Sequence, residues 1–235
     1  MCGNMGYVTA TTGAVAGVTP LQNKTINQIA NKTRNLKKEQ YRIVNENGEI
    51  VLEKKGQEHE VSATLGEKRE HLPGAVSIHN HPAGGTFSYP DLRDFGTGAR
   101  QIVAASPEGT YKLTNTRYGK KDQYSGWYDM QQAMEKAGIT KERSYIDIRN
   151  EAQKAPKVAK LIKQSTAASK EWVDARNAGK SKDVLDSISK KYDSLRADYK
   201  KALDAEIRHL ETKPYHDFYK KNAKKYGFEY AFIKK

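Results

Sequence analysis

The chain has 235 residues, of which 37% are hydrophobic and 29% charged, with a formal net charge of +13. That length holds one large domain or one domain with an appendage, and so low an apolar share implies a modest core with solvated helices. The one cysteine, Cys2, excludes an internal disulfide framework and a cysteine-built zinc site, and no stretch approaches the roughly 20 apolar residues of a membrane-spanning helix.

In chain order, residues 5–20 are rich in Gly, Thr, Ala and Val but lack the basic start of a signal peptide. A cytoplasmic protein is expected, with any export by a route other than a classical leader. Met1-Cys2-Gly3 matches the opening of class II glutamine amidotransferases, but nothing after it does, so Cys2 reads as a free thiol near a frayed terminus. Thr25–Lys38 reads as a short polar helix. Tyr41–Leu52 then reads as a β-hairpin turning at Asn47-Gly48, followed by an extended stretch, Glu60–Thr64.

Gly74–Ile78 is a short apolar, β-branched run that predicts a buried strand, and Pro82 stops it. Residues i and i+2 of a strand share a face, so His79 and His81 project together at its end. Gly84-Gly85 allows a tight loop, and Ser88 is placed to cap a helix from about Pro90 to Gly98. Gln101–Ser106 and Thr110–Leu113 predict two more strands about the turn Pro107-Glu108-Gly109. Asn115–Ser125 reads as a loop or linker.

From Trp127 to about Leu210 the period becomes helical. Val158–Arg176 carries Leu161, Ile162, Trp172 and Val173; in the next helix Ile188, Tyr192, Leu195, Tyr199, Leu203, Ile207 and Leu210 form one apolar stripe. Ala178–Ser181 separates the two, with Asp183 as a cap, which predicts an antiparallel helical hairpin. Pro214 is expected to end the second helix, Phe218–Lys225 to form a short basic one, and Gly227–Ile233 a last strand returning to the sheet. His209 and His216 read as surface residues. The fold class is thus α/β (α+β), a mixed sheet with flanking helices and an inserted helical arm. Its expected parts are an N-terminal segment 1–35, a core 36–125, an arm 126–213 and a returning segment 214–235.

Two imidazoles and a carboxylate make an open zinc site, and His79, His81 and Asp91 supply that set within thirteen residues. The adjacent letters His-Asn-His do not make an HNH nuclease, whose residues are spread over a hairpin and helix. His79-Asn80-His81-Pro82, a short loop, and Ser88-x-x-Asp91 resemble the JAMM (JAB/MPN-type) zinc metallopeptidase signature. The wording is closest to RadC-like proteins and to JAB-like domains of phage head proteins and polymorphic toxins. Nine residues separate His81 from Asp91, one fewer than that pattern usually has. The resemblance covers residues 36–114 and implies a cytidine-deaminase-like fold, Zn2+ held by His79, His81 and Asp91, and Ser88 helping to hold the oxyanion. It further implies hydrolysis of a peptide or isopeptide bond by zinc-activated water, in a bacterial or phage-infected cell, with the protein substrate laid along the sheet edge beside the metal strand. An upstream Glu serves that family as general base. Glu39, just ahead of the hairpin, matches best; Glu58 and Glu60 compete, and Glu46 and Glu49 flank the turn.

Two other classes stand beside this one. The charge of +13, spread over Lys154, Lys157, Lys160, Lys163, Lys220, Lys221, Lys224 and Lys225, attracts polyanions and suits a RadC-like nucleic-acid-associated protein that does not catalyse. The arm, which the resemblance does not explain, suits a phage or mobile-element structural or effector protein that docks a protein partner there and keeps a vestigial metal core.

Overall fold

The computed structural model describes residues 17–56, 61, 63–140 and 143–235; Cys2, Glu58 and Glu60 lie outside them. The first helix, α1 (Pro20–Thr33), starts ahead of the expected Thr25 because the sequence supplies a full capping box there. Thr19 Oγ1 accepts from Gln22 N–H at 3.1 Å, the Gln22 carboxamide oxygen accepts from Thr19 N–H at 3.0 Å, and Pro20 fits the first turn. The hairpin follows as β1 (Gln40–Val44) and β2 (Ile50–Lys55). Its turn places Gly48 at φ 78°, and Asn45 Oδ1 accepts from the N–H groups of Asn47 and Glu49.

In place of the extended stretch expected at Glu60–Thr64, Val61 and Ala63 belong to no regular element. Thr64 and Glu67 form a second capping box that opens a helix the periodicity did not reveal, α2 (Leu65–His71). The strand that ends next to His81 is β3 (Val76–Asn80). A 3-10 turn (Pro90–Leu92) and α3 (Arg93–Gly96) lead to β4 (Gln101–Ser106), β5 (Gly109–Asn115) and α4 (Ser125–Lys136). The last strand, β6 (Phe228–Lys234), pairs antiparallel with β5.

These six strands form one mixed sheet in the order β2-β1-β3-β4-β5-β6, with only β3 and β4 parallel. The register pairs Tyr41 with His79, His79 with Ala104, and Ala104 with Tyr111. Alternation then separates two faces. Val44, Val76, Ile78, Val103 and Ala105 pack with Val18, Ile26, Ile29 and Ala30 beneath α1. Tyr41, Ile43, Ile102, Ala104 and Leu113 face the larger core, which takes in Leu72, Phe87, Leu92, Phe95, Trp127, Met130, Met134, Phe218, Tyr219 and Phe228. His79 shares this second face.

The described residues fall into two compact units. The first comprises those up to Thr140 together with Pro214–Lys235; the second ends at Lys213. The arm expected from residue 126 starts later: α4 belongs to the first unit, because its Trp127, Met130 and Met134 stripe is buried in the sheet core. Close approach also fixes α4. A Cβ at Gly126 would collide with the carbonyl oxygen of Tyr226. Gly126→Ala is therefore expected to cost about 1–3 kcal/mol, read as a lower urea midpoint; an unchanged midpoint would show that this approach is not tight.

The second unit contains α5 (Tyr145–Ala152), α6 (Pro156–Asn177) and α7 from its start at Lys182. Its core joins Ile148, Ala152 and Val158 to Ala202, Leu203 and Ile207. Of the expected stripe, Ile188, Leu203 and Ile207 are buried and the other members half-buried, whereas Val173 of α6 is exposed. Gly179, at φ 66°, follows α6, and Asp183 lies inside the first turn of α7 instead of capping it. Contrary to expectation, α7 does not end at Pro214 but continues to Asn222, followed by a 3-10 turn (Ala223–Tyr226). Proline removes one backbone donor; burial of Phe218 and Tyr219 in the first unit's core favours continued helix beyond it.

Candidate metal centre

The end of β3 gathers the three expected ligands. His79 and His81 are 6% and 2% exposed, and their Nε2 atoms lie 2.8 Å apart. Asp91, partly buried in the 3-10 turn, brings Oδ1 to 3.3 Å from His79 Nε2 and Oδ2 to 3.8 Å from His81 Nε2. All three ligand atoms fall within 4.8 Å of one another, so the group can hold a metal ion. With metal–ligand bonds of about 2.0–2.1 Å, donors on a tetrahedral centre sit roughly 3.3 Å apart. The His79–His81 separation of 2.8 Å and the His79–Asp91 Oδ1 separation of 3.3 Å fall just below and at that value. Two nitrogens and one oxygen leave a coordination position open to solvent or substrate, so the donor set fits the ion that the motif implies.

The backbone and its neighbours orient each ligand. Gly85 O lies 3.3 Å from His81 Nδ1, which selects the tautomer with the proton on Nδ1 and leaves Nε2 as donor to a metal. Ser88 N–H and Ser88 Oγ both donate to Asp91 Oδ2, at 2.6 and 2.8 Å. Ser88 therefore does not cap the following turn, whose N-cap is Tyr89 and has no side-chain bond. The nearby carboxylate is a stronger acceptor than the hydroxyl and takes both donors itself.

Charge holds the site together as well. Burial pushes the His79 imidazole down, but the Asp91 carboxylate, with Glu39 and Asp94 behind it, outweighs this and leaves its pKa raised. Burial pushes the Asp91 carboxyl up; the neighbouring His79 and His81 and the Ser88 N–H reverse that and hold it below the ordinary carboxylate range.

Glu39 is 7% exposed and lies immediately before β1. Continuing the antiparallel register two steps past Tyr41–His79 sets it across from His81. Glu46 and Glu49, by contrast, belong to the hairpin turn: Glu46 pairs with Arg100 and Glu49 accepts from Asn45.

Several contributors carry no signal in the sequence. Asn80 lies between the two histidines and points to the opposite face. Its Oδ1 accepts from Gln40 N–H at 2.8 Å and its Nδ2 donates to Lys38 O at 3.1 Å, fastening the segment that bears Glu39. Asp94, one turn beyond Asp91, accepts from Tyr41 Oη at 2.9 Å and pairs with Lys68 Nζ at 2.7 Å. The Tyr219 ring packs edge-on to Phe87, and its buried hydroxyl has no hydrogen-bond partner among the described residues. His216, expected at the surface, is half-buried and within 2.7 Å of Tyr230 Oη through Nδ1. The expected substrate path along a free edge of β3 is ruled out, since β1 and β4 flank β3 and the sheet edges are β2 and β6.

No family model, curated protein or solved structure matches the chain. Fold and site together define a mixed α/β protein with a two-histidine, one-carboxylate cluster able to hold a metal ion at the end of an interior strand. None of the described helices is long and apolar enough to cross a membrane.

Proposed function

We propose that this protein is a zinc-dependent hydrolase of the JAMM type, cleaving a peptide or isopeptide bond, on a cytidine-deaminase-like core. The observation that carries the reading is the convergence of His79, His81 and Asp91 at the end of β3, with Glu39 across from His81 in the continued register. His79, His81 and Asp91 would hold the ion. When bound, Zn2+ supplies a Lewis acid that polarises the scissile carbonyl and lowers the pKa of water to about 7.

The chain's own groups do the rest. Glu39 takes the proton of the attacking water and returns it to the leaving nitrogen, a role that suits a carboxylate at neutral pH. Ser88 keeps Asp91 in position through two hydrogen bonds. Its hydroxyl can turn from Asp91 towards the oxyanion as charge develops there, adding a donor where it strengthens only in the transition state. The buried faces of His79 and His81 exclude bulk water from one side of the reacting carbonyl.

The test uses zinc-loaded protein, a panel of fluorogenic peptides and an isopeptide-linked panel. Glu39→Gln is expected to keep its zinc and lose about 10²–10⁴-fold in kcat, the usual contribution of a positioned acid–base group. Full turnover in that variant would assign the proton to another carboxylate; no turnover by wild type on either panel would count against peptidase activity.

A further inference from the structure

The loop between the ligands, residues 82–87, belongs to no helix or strand, yet Thr86 and Phe87 in it are fully buried. Gly84 and Gly85 both take φ 91°, a region that side chains rarely enter. Such a path has to be held from outside. Glu108, in the β4–β5 turn, does so: its Oε1 accepts from Gly85 N–H at 2.6 Å and from Tyr111 Oη at 3.1 Å. The carboxylate lies flush against Gly84, where an added Cβ would fall 2.9 Å from Oε2. The turn that carries Glu108 is itself tied down, with Ser106 Oγ donating to Gly109 O and Lys235 N–H to Glu108 O, both at 3.1 Å.

Glu108 thus grips the amide on one side of Gly85, while the carbonyl on the other side meets His81 Nδ1. We propose that Glu108 is a positioning residue of the metal centre: through Gly85 it fixes the ring orientation and tautomer of His81, and hence the direction of the Nε2 donor. This rests on the metal-binding reading of the site, though not on any catalytic step. Partners that hold the second nitrogen of a ligand histidine are typically worth 10–100-fold in metal affinity. Acting one bond further out, Glu108 belongs at the lower end of that range.

The probe is Co2+ alone, titrated by chelator competition into the full chain, with its visible spectrum reporting coordination and thermal unfolding of the metal-free form reporting the fold. Glu108→Ala is expected to bind Co2+ about tenfold more weakly, with altered band positions and only a small drop in the metal-free midpoint, since it also loses the bonds from Gly85 N–H and Tyr111 Oη. Glu108→Asp keeps the charge but is too short to reach Gly85, and should match the alanine variant. Glu108→Gln keeps the acceptor without the charge, and should stay close to wild type. Wild-type affinity in both Glu108→Ala and Glu108→Asp would overturn the proposal. So would a weak Glu108→Gln beside a tight Glu108→Asp, which would make the effect one of charge. Failure of wild type itself to bind Co2+ would instead remove the metal reading on which the proposal stands.

Discussion

Purified protein is expected to carry about one equivalent of zinc, and the His79→Ala/His81→Ala variant none, measured by mass spectrometry of metal content. The expectation is steep because the three side chains form one small cluster, with His79 and His81 buried and their donor atoms turned towards each other. Removing both nitrogens leaves Asp91 alone, and a single carboxylate does not retain zinc against buffer. Asp91→Ala should weaken binding as well, since it removes both the anionic ligand and the charge beside His79. A ligand that binds only the folded form stabilises it by about 2.7 kcal/mol at a hundredfold excess over Kd. Added zinc should therefore raise the thermal midpoint of wild type and leave the double variant unmoved.

The other outcomes are equally informative. Iron in place of zinc would redirect the reading, because two histidines and one carboxylate are also the donor set of non-haem Fe(II) oxygenases. No metal in either protein after zinc is supplied would end the hydrolase reading and leave the basic surface and the helical unit as the places to look for function.

The second large effect concerns stability. Asp94→Ala is expected to cost about 3–5 kcal/mol, the usual result of removing one partner from a buried ion pair. Asp94 is 3% exposed and accepts from Tyr41 on β1 while pairing with Lys68 on α2. Its loss would leave the half-buried Lys68 without its carboxylate and the buried Tyr41 hydroxyl without its acceptor. Asp94→Asn keeps an acceptor for Tyr41 and should cost less. Urea unfolding measures both, through a shift in midpoint at constant slope. A loss below about 1 kcal/mol for Asp94→Ala would place the pair in the class of weak surface bridges. Because Tyr41 pairs in register with His79, the same variant should also loosen metal binding.

Local chemistry alone determined much of this protein. The hairpin at Asn47-Gly48, the span of β4 and the helical period of the second unit depend on turn preference and side-chain alternation between near neighbours, and the structure has each of them. Likewise, His79 and His81 had to share a face because a strand repeats every two residues, and Asp91 had to be close because only a short loop intervenes. Other features depended on partners distant in sequence. The burial of α4 required a core to receive Trp127 and Met130, and α7 continued through Pro214 with Phe218 and Tyr219 buried beyond it. That Asn80 clamps Lys38 and Gln40, that Asp94 joins β1 to α2, and that Glu108 holds Gly85 are contacts across 23 to 53 positions of chain. No periodicity encodes such contacts. They arise only when the sheet sets its strands side by side, which is why the His79, His81 and Asp91 cluster was legible in the sequence and the residues that hold it were not.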